Sequence, residues 1–389
     1  MSEGSRPRVA AVVTQYWPKS HADVIVGKLL EGYALHGVPT EPRIEVASLY
    51  LDQTPAHDTG RALAARCGVP VFDTIGEAMT LGGTGVNVDG VLLVGEHGDY
   101  PINDRGHILY PRRRFFDATV AAMVAGGRVV PAFVDKHLSW SFASARRMYD
   151  TAERLDIPLL AGSSLPLAWR MPPLEWPLGA PLTEAIAIGY GPLEAYEFHA
   201  LEGLQCMAER RAGGETGVAA VQDLPGDEIQ RAAAGGRWSE ELMAAALATL
   251  DLDGHRLRQA RAAIGHAFLV EYRDGLRAGV LMLDGVIDDF AFAGRFGDEI
   301  LACRFALEPR QPFGHFTFLV RQIESLVLTR KPPYPVARTL LTTGILDAAM
   351  RSRALGGARV VTPELMIRYE AASRVADTGI GVEPPFIAG

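Results

Sequence analysis

The feature that most restricts this chain is a set of short apolar runs with almost no polar interruption, at residues 9–13, 44–49, 71–72, 90–94, 129–134 and 158–161. A strand at a solvated face alternates apolar and polar residues, whereas an unbroken apolar run has to be covered on both sides. Between these runs lie helix-like stretches at 22–35, 59–67, 115–125 and 143–155, several followed by a glycine such as Gly37, Gly68 or Gly126. Strand and helix in alternation, with the strands buried, predict an α/β Rossmann-like domain built on a doubly wound parallel sheet.

After Trp169 the pattern changes. A proline-rich stretch at 172–181 leads into a strand at 185–190 and a helix from about 196 to 211, and then into extended segments at 266–272, 277–283, 290–296 and 301–307. Turn signals such as Arg273-Asp274-Gly275 and Asp284-Gly285 separate them. Two further helices near 316–328 and 338–353 complete an α+β domain with a largely antiparallel open sheet. The expected division is 1–137 for the Rossmann-like domain and 138–389 for the second, with the site in the cleft between them. No internal repeat or low-complexity segment is present.

Charge and cysteine usage narrow the function classes. With 46 acidic against 38 basic side chains the formal charge is -8, and no basic block offers a footprint for nucleic acid. No stretch reaches the roughly 18 apolar residues of a membrane helix, and the polar N-terminus has no signal-peptide core, which makes a cytoplasmic protein without a membrane partner the expectation. Cys67, Cys206 and Cys303 are too scattered for a disulfide framework or a metal knuckle.

Asp135-Lys136-His137 closes a strand ahead of a helix, and Glu194 to Glu202 places His199 and Glu202 three residues apart on a second-domain helix. With the order of elements, these residues resemble the Gfo/Idh/MocA family, which includes glucose-fructose oxidoreductase and inositol dehydrogenase. Its usual Glu-Lys-Pro motif would correspond to Asp135, Lys136 and His137, and its helix motif to His199 and Glu202, with Ala195 where the family has aspartate. The resemblance implies that Lys136 and His199 meet the reacting carbon and move a proton, with Glu194 or Glu197 as the partner of His199.

The family's GxGxxG loop, which lets backbone amides approach a pyrophosphate, has no counterpart. Residues 14–23 contain no glycine, Pro18 lacks an amide proton, and Tyr16 and Trp17 add two rings. NAD(P) binding in the ordinary mode is therefore not expected, although Asp52 stands where an acid could accept ribose hydroxyls or cap a helix.

Ligands of open α/β sheets sit beyond the carboxyl ends of the strands. The residues there are Lys19, Ser20 and His21, then Glu96, His97, Asp99 and Tyr100, then Asp135, Lys136 and His137. Imidazoles and carboxylates together suit Zn, Mn or Fe. The expected metal ligands are His97, His137, His199, Asp135 and Glu96; the expected catalytic groups are Lys136, His199, Glu197 and Asp99; and His21, Ser20, Tyr100 and Tyr196 are expected to bind substrate. Arg112, Arg113 and Arg114 read as a solvated helix face, and His315 as a cap or packing residue. The leading expectation is metal-assisted elimination, isomerisation or hydrolysis of a small polyhydroxy or carbonyl compound by a homo-oligomer. The alternatives are an NAD(P)-dependent sugar or polyol oxidoreductase with an atypical loop, and a non-catalytic ligand-binding protein.

Overall fold

The computed structural model describes residues 5–386. Its described residues divide into two units, one of residues 5–101, 108–164 and 308–336 and the other of 102–107, 165–307 and 337–386. The boundary expected at residue 137 falls within the first unit.

The first unit is built on six strands: β1 (Arg8–Val13), β2 (Glu45–Leu51), β3 (Val71–Phe72), β4 (Gly90–Val94), β5 (Ala132–Asp135) and β6 (Leu159–Gly162). Their order across the sheet is β3-β2-β1-β4-β5-β6 and every pairing is parallel, which is the doubly wound order. Residues 9–13 and 90–94 are buried throughout, as continuous apolar strands require. Helices Gly60–Arg66, Arg112–Ala125 and Phe142–Arg154 stand close to their expected places. The helix Ile75–Thr80 was not anticipated, although Thr74 and Glu77 form its capping box.

The crossover after β1 departs most from expectation. In place of one helix over 22–35 there is a π-helical turn, Asp23–Gly27, then Lys28–Glu31, ended by Gly32 at φ 87° and followed by a hairpin of Tyr33–Leu35 and Val38–Thr40. Helix His315–Thr329, expected in the second domain, belongs to the first unit. There Glu324 accepts from the Tyr33 hydroxyl at 2.9 Å and from Arg43 Nε at 3.0 Å.

The second unit holds an eight-stranded sheet: β7 (Trp169–Met171), β8 (Leu182–Gly189), β9 (Val218–Leu224), β10 (His266–Tyr272), β11 (Arg277–Met282), β12 (Phe290–Phe296), β13 (Glu299–Ala306) and β14 (Val360–Val361). The order is β14-β9-β10-β11-β8-β12-β13-β7, antiparallel except for the β8/β11 pair. Its two faces follow the period of two along β8. A Cβ at Gly189 would lie 3.1 Å from that of Ala200, on the helix Ala195–Ala208. Ile186 and Ile188 point the other way, into a core with Trp238, Leu242, Met243 and Leu247.

That second core comes from helices Gly226–Ala234, Glu240–Ala248 and Gly254–Ala262, inserted between β9 and β10. The sheet is therefore covered on this side by helices of the same chain. Among the described residues no helix is long and apolar enough to cross a membrane.

Candidate functional site

Three turns at the carboxyl edge of the first sheet carry a non-glycine residue in the left-handed region: Lys19 (φ 73°), His97 (φ 69°) and Lys136 (φ 61°). Each such residue costs on the order of 1–3 kcal/mol and persists only where its surroundings fix it. At Lys136 the fixing is explicit, since its amide donates to Gly162 O at 3.2 Å and its carbonyl accepts from Gly162 N at 3.1 Å. The turn sends Asp135, Lys136 and His137 to three different partners.

Lys136 Nζ donates to Glu96 Oε1 at 2.8 Å, and Arg112 Nη2 donates to Glu96 Oε2 at 2.5 Å. The lysine and arginine side chains are 3% and 0% exposed, so the carboxylate is held between two desolvated cations. Burial pushes the Glu96 carboxyl up, but Lys136 and Arg112 outweigh it and hold it well below the usual carboxylate range. Arg112 Nη1 also donates to His137 Nε2 at 3.2 Å, while His137 Nδ1 lies 2.9 Å from Ser139 O. That pattern makes Nδ1 the protonated nitrogen. Burial and Arg112 keep His137 well below its ordinary value, hence neutral. Gly95 makes room for this network, because a Cβ there would come within 2.7 Å of Arg112 Cγ.

Asp135 faces the other way. Its Oδ2 lies 2.7 Å from His21 Nδ1; the carboxylate is 0% exposed and the imidazole 13%. The His21 ring meets Phe316 at 5.4 Å and His97 at 5.6 Å, and His97 meets Trp17 at 4.8 Å. Burial, with His21 close by, lowers His97 to about 4, so it too is neutral near pH 7.

The segment after β1 supplies its own anion. Asp23 Oδ2 accepts from the Lys19 amide at 2.7 Å, Asp23 Oδ1 accepts from the Tyr16 hydroxyl at 3.1 Å, and Ser20 Oγ accepts from the amides of Trp17 and Asp23, each at 3.2 Å. A glycine-lined loop would offer such amides to a pyrophosphate. Asp52 beyond β2 is engaged as well: Arg114 Nη2 donates to both its oxygens at 2.6 Å, and the hydroxyls of Tyr50 and Tyr100 donate at 2.7 Å. It is a hub between two loops and caps no helix. An open groove nearby is lined by Tyr100, Tyr110, Arg113, Arg114 and Trp140. For a dinucleotide, the donors and acceptors around Lys136 and His21 fit the reactive end. The amides of Trp17 and Lys19 do not offer its phosphates the usual bed.

Of the other expected residues, Asp99 and Ser20 belong to the first unit and Tyr196, Glu197 and His199 to the second. Asp99 is exposed, with its backbone N–H and carbonyl bonded to the Gln53 side chain at 2.9 Å. Ser20, expected to bind substrate, is buried as a turn cap. In the second unit, Tyr196 and Phe290 flank the His199 ring at 5.8 and 6.0 Å. Glu197 caps its own helix through the Glu194 amide, and burial pushes its carboxyl up to about 8. Arg112, read as solvated, is the largest fully buried side chain of the network. It lies three residues before Phe115 and four before Phe116, on the buried stripe that continues to Thr119 and Met123, and that spacing was its available signal. His107, not anticipated, bonds Glu194 Oε1 at 3.1 Å and stands 3.6 Å from Asp347, and the two acids outweigh burial and raise it to about 9.

The expected metal centre is corrected by this geometry. The Nε2 lone pair of His137 is spent on Arg112, both Glu96 oxygens are spent on cations, and among the described residues no three His, Cys, Asp or Glu side chains are grouped to hold a metal ion.

No family model matches the sequence, and no curated protein matches it. Solved structures do. GenD2 from gentamicin A biosynthesis, determined in complex with NAD, is 16% identical with a TM-score of 0.57 over 92% of this chain and 96% of that one. Scyllo-inositol dehydrogenase from Lactobacillus casei, determined with NAD(H) and scyllo-inositol, is 9% identical with a TM-score of 0.55 over 92% and 99%. Biliverdin reductase from Synechocystis sp. PCC 6803, determined with biliverdin and NADP+, is 13% identical with a TM-score of 0.51 over 90% and 99%. All three were solved with dinucleotides and two are named as a dehydrogenase and a reductase, which overturns the expectation of metal-assisted chemistry without NAD(P). Over nearly its whole length the chain has the fold of the Gfo/Idh/MocA dehydrogenases that its sequence resembles.

Proposed function

We propose that this protein is a nicotinamide-dinucleotide-dependent oxidoreductase of a small polyhydroxy or carbonyl compound, with an atypical phosphate loop. The observation that carries the reading is Lys136, fixed in a left-handed turn at the carboxyl edge of the sheet and followed by the buried network on Glu96. Likeness in fold to dehydrogenases solved with NAD supports it. When bound, the dinucleotide supplies a hydride acceptor or donor for the substrate carbon. Lys136, held as a donor by Glu96, polarises the substrate oxygen and stabilises negative charge developing there. Arg112 is a positioning residue that keeps Glu96 ionised. The groove of Tyr100, Tyr110, Trp140, Arg113 and Arg114 offers aromatic faces and guanidinium groups for the far end of the cofactor.

The test is reduced-nicotinamide absorbance with NAD+ and NADP+ against polyols and sugars headed by scyllo-inositol and glucose, for the wild type and Lys136→Met. Turnover by the wild type, with a loss of about 10²–10⁴ in kcat for the variant, is expected. Undiminished kcat in Lys136→Met refutes the role of the lysine.

A further inference from the structure

We infer that His21 and Asp135 form an acid–base dyad in which His21 Nε2 exchanges the substrate's proton and Asp135 positions the ring. The inference rests on the oxidoreductase reading and names a proton acceptor for it within the first unit. Asp135 is a fully buried carboxylate whose Oδ2 is bonded to His21 Nδ1 at 2.7 Å while Oδ1 has no hydrogen-bond partner. A buried carboxylate left half satisfied is costly, so its place needs a reason beyond folding. The histidine it holds is one.

With Nδ1–H committed to the carboxylate, the ring nitrogen left to accept a proton is Nε2, and Asp135 stabilises the imidazolium that forms when Nε2 takes one. The rings of His97 and Phe316 pack edge-on against His21 at 5.6 and 5.4 Å and restrain its plane. Lys136 does not serve this role as well, because its ammonium is locked onto Glu96 and is suited to donate a hydrogen bond. In the oxidative direction the hydroxyl proton would pass to His21 Nε2, with the bound dinucleotide as acceptor for the hydride of the carbinol carbon. The C–O bond becomes a carbonyl, and His21 returns the proton to water. Reduction reverses each transfer. His137, which also has a lone pair on Nε2, has it occupied by Arg112.

Long-range ¹H–¹⁵N correlation spectra of the full chain, assigned with His21→Gln and recorded at a pH where the ring is unprotonated, should show His21 as the Nδ1–H tautomer. Asp135→Asn should shift that population toward Nε2–H. On any polyol of the series that is turned over, both variants should lose about 10²–10⁴ in kcat with KM changed less than threefold. Should Asp135→Asn fail to fold, His21→Asn takes its place in the kinetic arm. An Nε2–H tautomer in the wild type, or full kcat in the variants, overturns the dyad. Failure of the wild type to bind either dinucleotide overturns the oxidoreductase reading instead, and the tautomer still decides the His21–Asp135 geometry.

Discussion

Replacing Glu96 by Gln keeps the shape of the side chain and removes the charge shared by Lys136 and Arg112. Two cations, 3% and 0% exposed, then face a neutral amide. Removing one partner of a buried ion pair costs about 3–5 kcal/mol, because the remaining charge stays desolvated. In a unit of this size about 1 kcal/mol moves Tm by roughly 2–4 °C, so the transition of the first unit should fall by about 6–20 °C. Differential scanning calorimetry at pH 7.5 reads this directly, with circular dichroism to confirm the fold. The sign with pH follows from the depressed Glu96 carboxyl. Its stabilisation is complete above the ordinary carboxylate range and is lost as pH falls through the depressed value, so the two melting curves should converge only in strong acid. A shift below about 2 °C at pH 7.5 would mean that water screens these charges and would refute the account of the network.

The two units should respond to pH with opposite signs. In the first, His97 is lowered to about 4 and His315 to about 3, both chiefly by burial, so the unfolded chain takes up protons below about 6.5 that the folded unit refuses, and stability falls with pH from there to about 4 for His97 and about 3 for His315. In the second, Glu197 at about 8 and His107 at about 9 bind protons more tightly folded than unfolded, so stability is lost as pH rises, from about 4.5 to 8 for the glutamate and from about 6.5 to 9 for the histidine. Urea-gradient pulse proteolysis with peptide mapping at pH 5 and pH 9 should find the first unit cleaved first in acid and the second first in alkali; one order at both values contradicts the assignment. Gly60→Ala sets a Cβ 2.7 Å from that of buried Tyr16 and should destabilise by about 1–3 kcal/mol in urea denaturation, a neutral result meaning that the loop after β1 yields.

The parallel sheet was legible because its strands are continuously apolar, as at Val9 to Val13, and nothing but burial on both faces accommodates them. The helical insert was not, because the Ala-rich Glu240–Ala248 has little contrast between its faces, though Ser239 and Asp253 stood as N-caps. At the site, position after a strand identified Glu96, His97, Asp135, Lys136 and His137 correctly as edge residues and said nothing of their partners. Whether a histidine meets a metal or a guanidinium depends on a helix that begins after a long loop, and Arg112 enters from that helix. The missing glycines were read as a missing cofactor, whereas the same segment closes on itself through Asp23 and Ser20. The left-handed turns at Lys19 and Lys136 had no signal, since neither residue is Gly, Asn, Asp or His.

The central claim is tested most directly by isothermal titration of the wild-type protein with NADH and with NADPH, followed by competition with NAD+ and NADP+. The account predicts saturable binding of at least one reduced dinucleotide at micromolar to submillimolar concentration, weakened in the double variant Arg113→Ala, Arg114→Ala. No saturable heat with either dinucleotide up to millimolar concentration would contradict it.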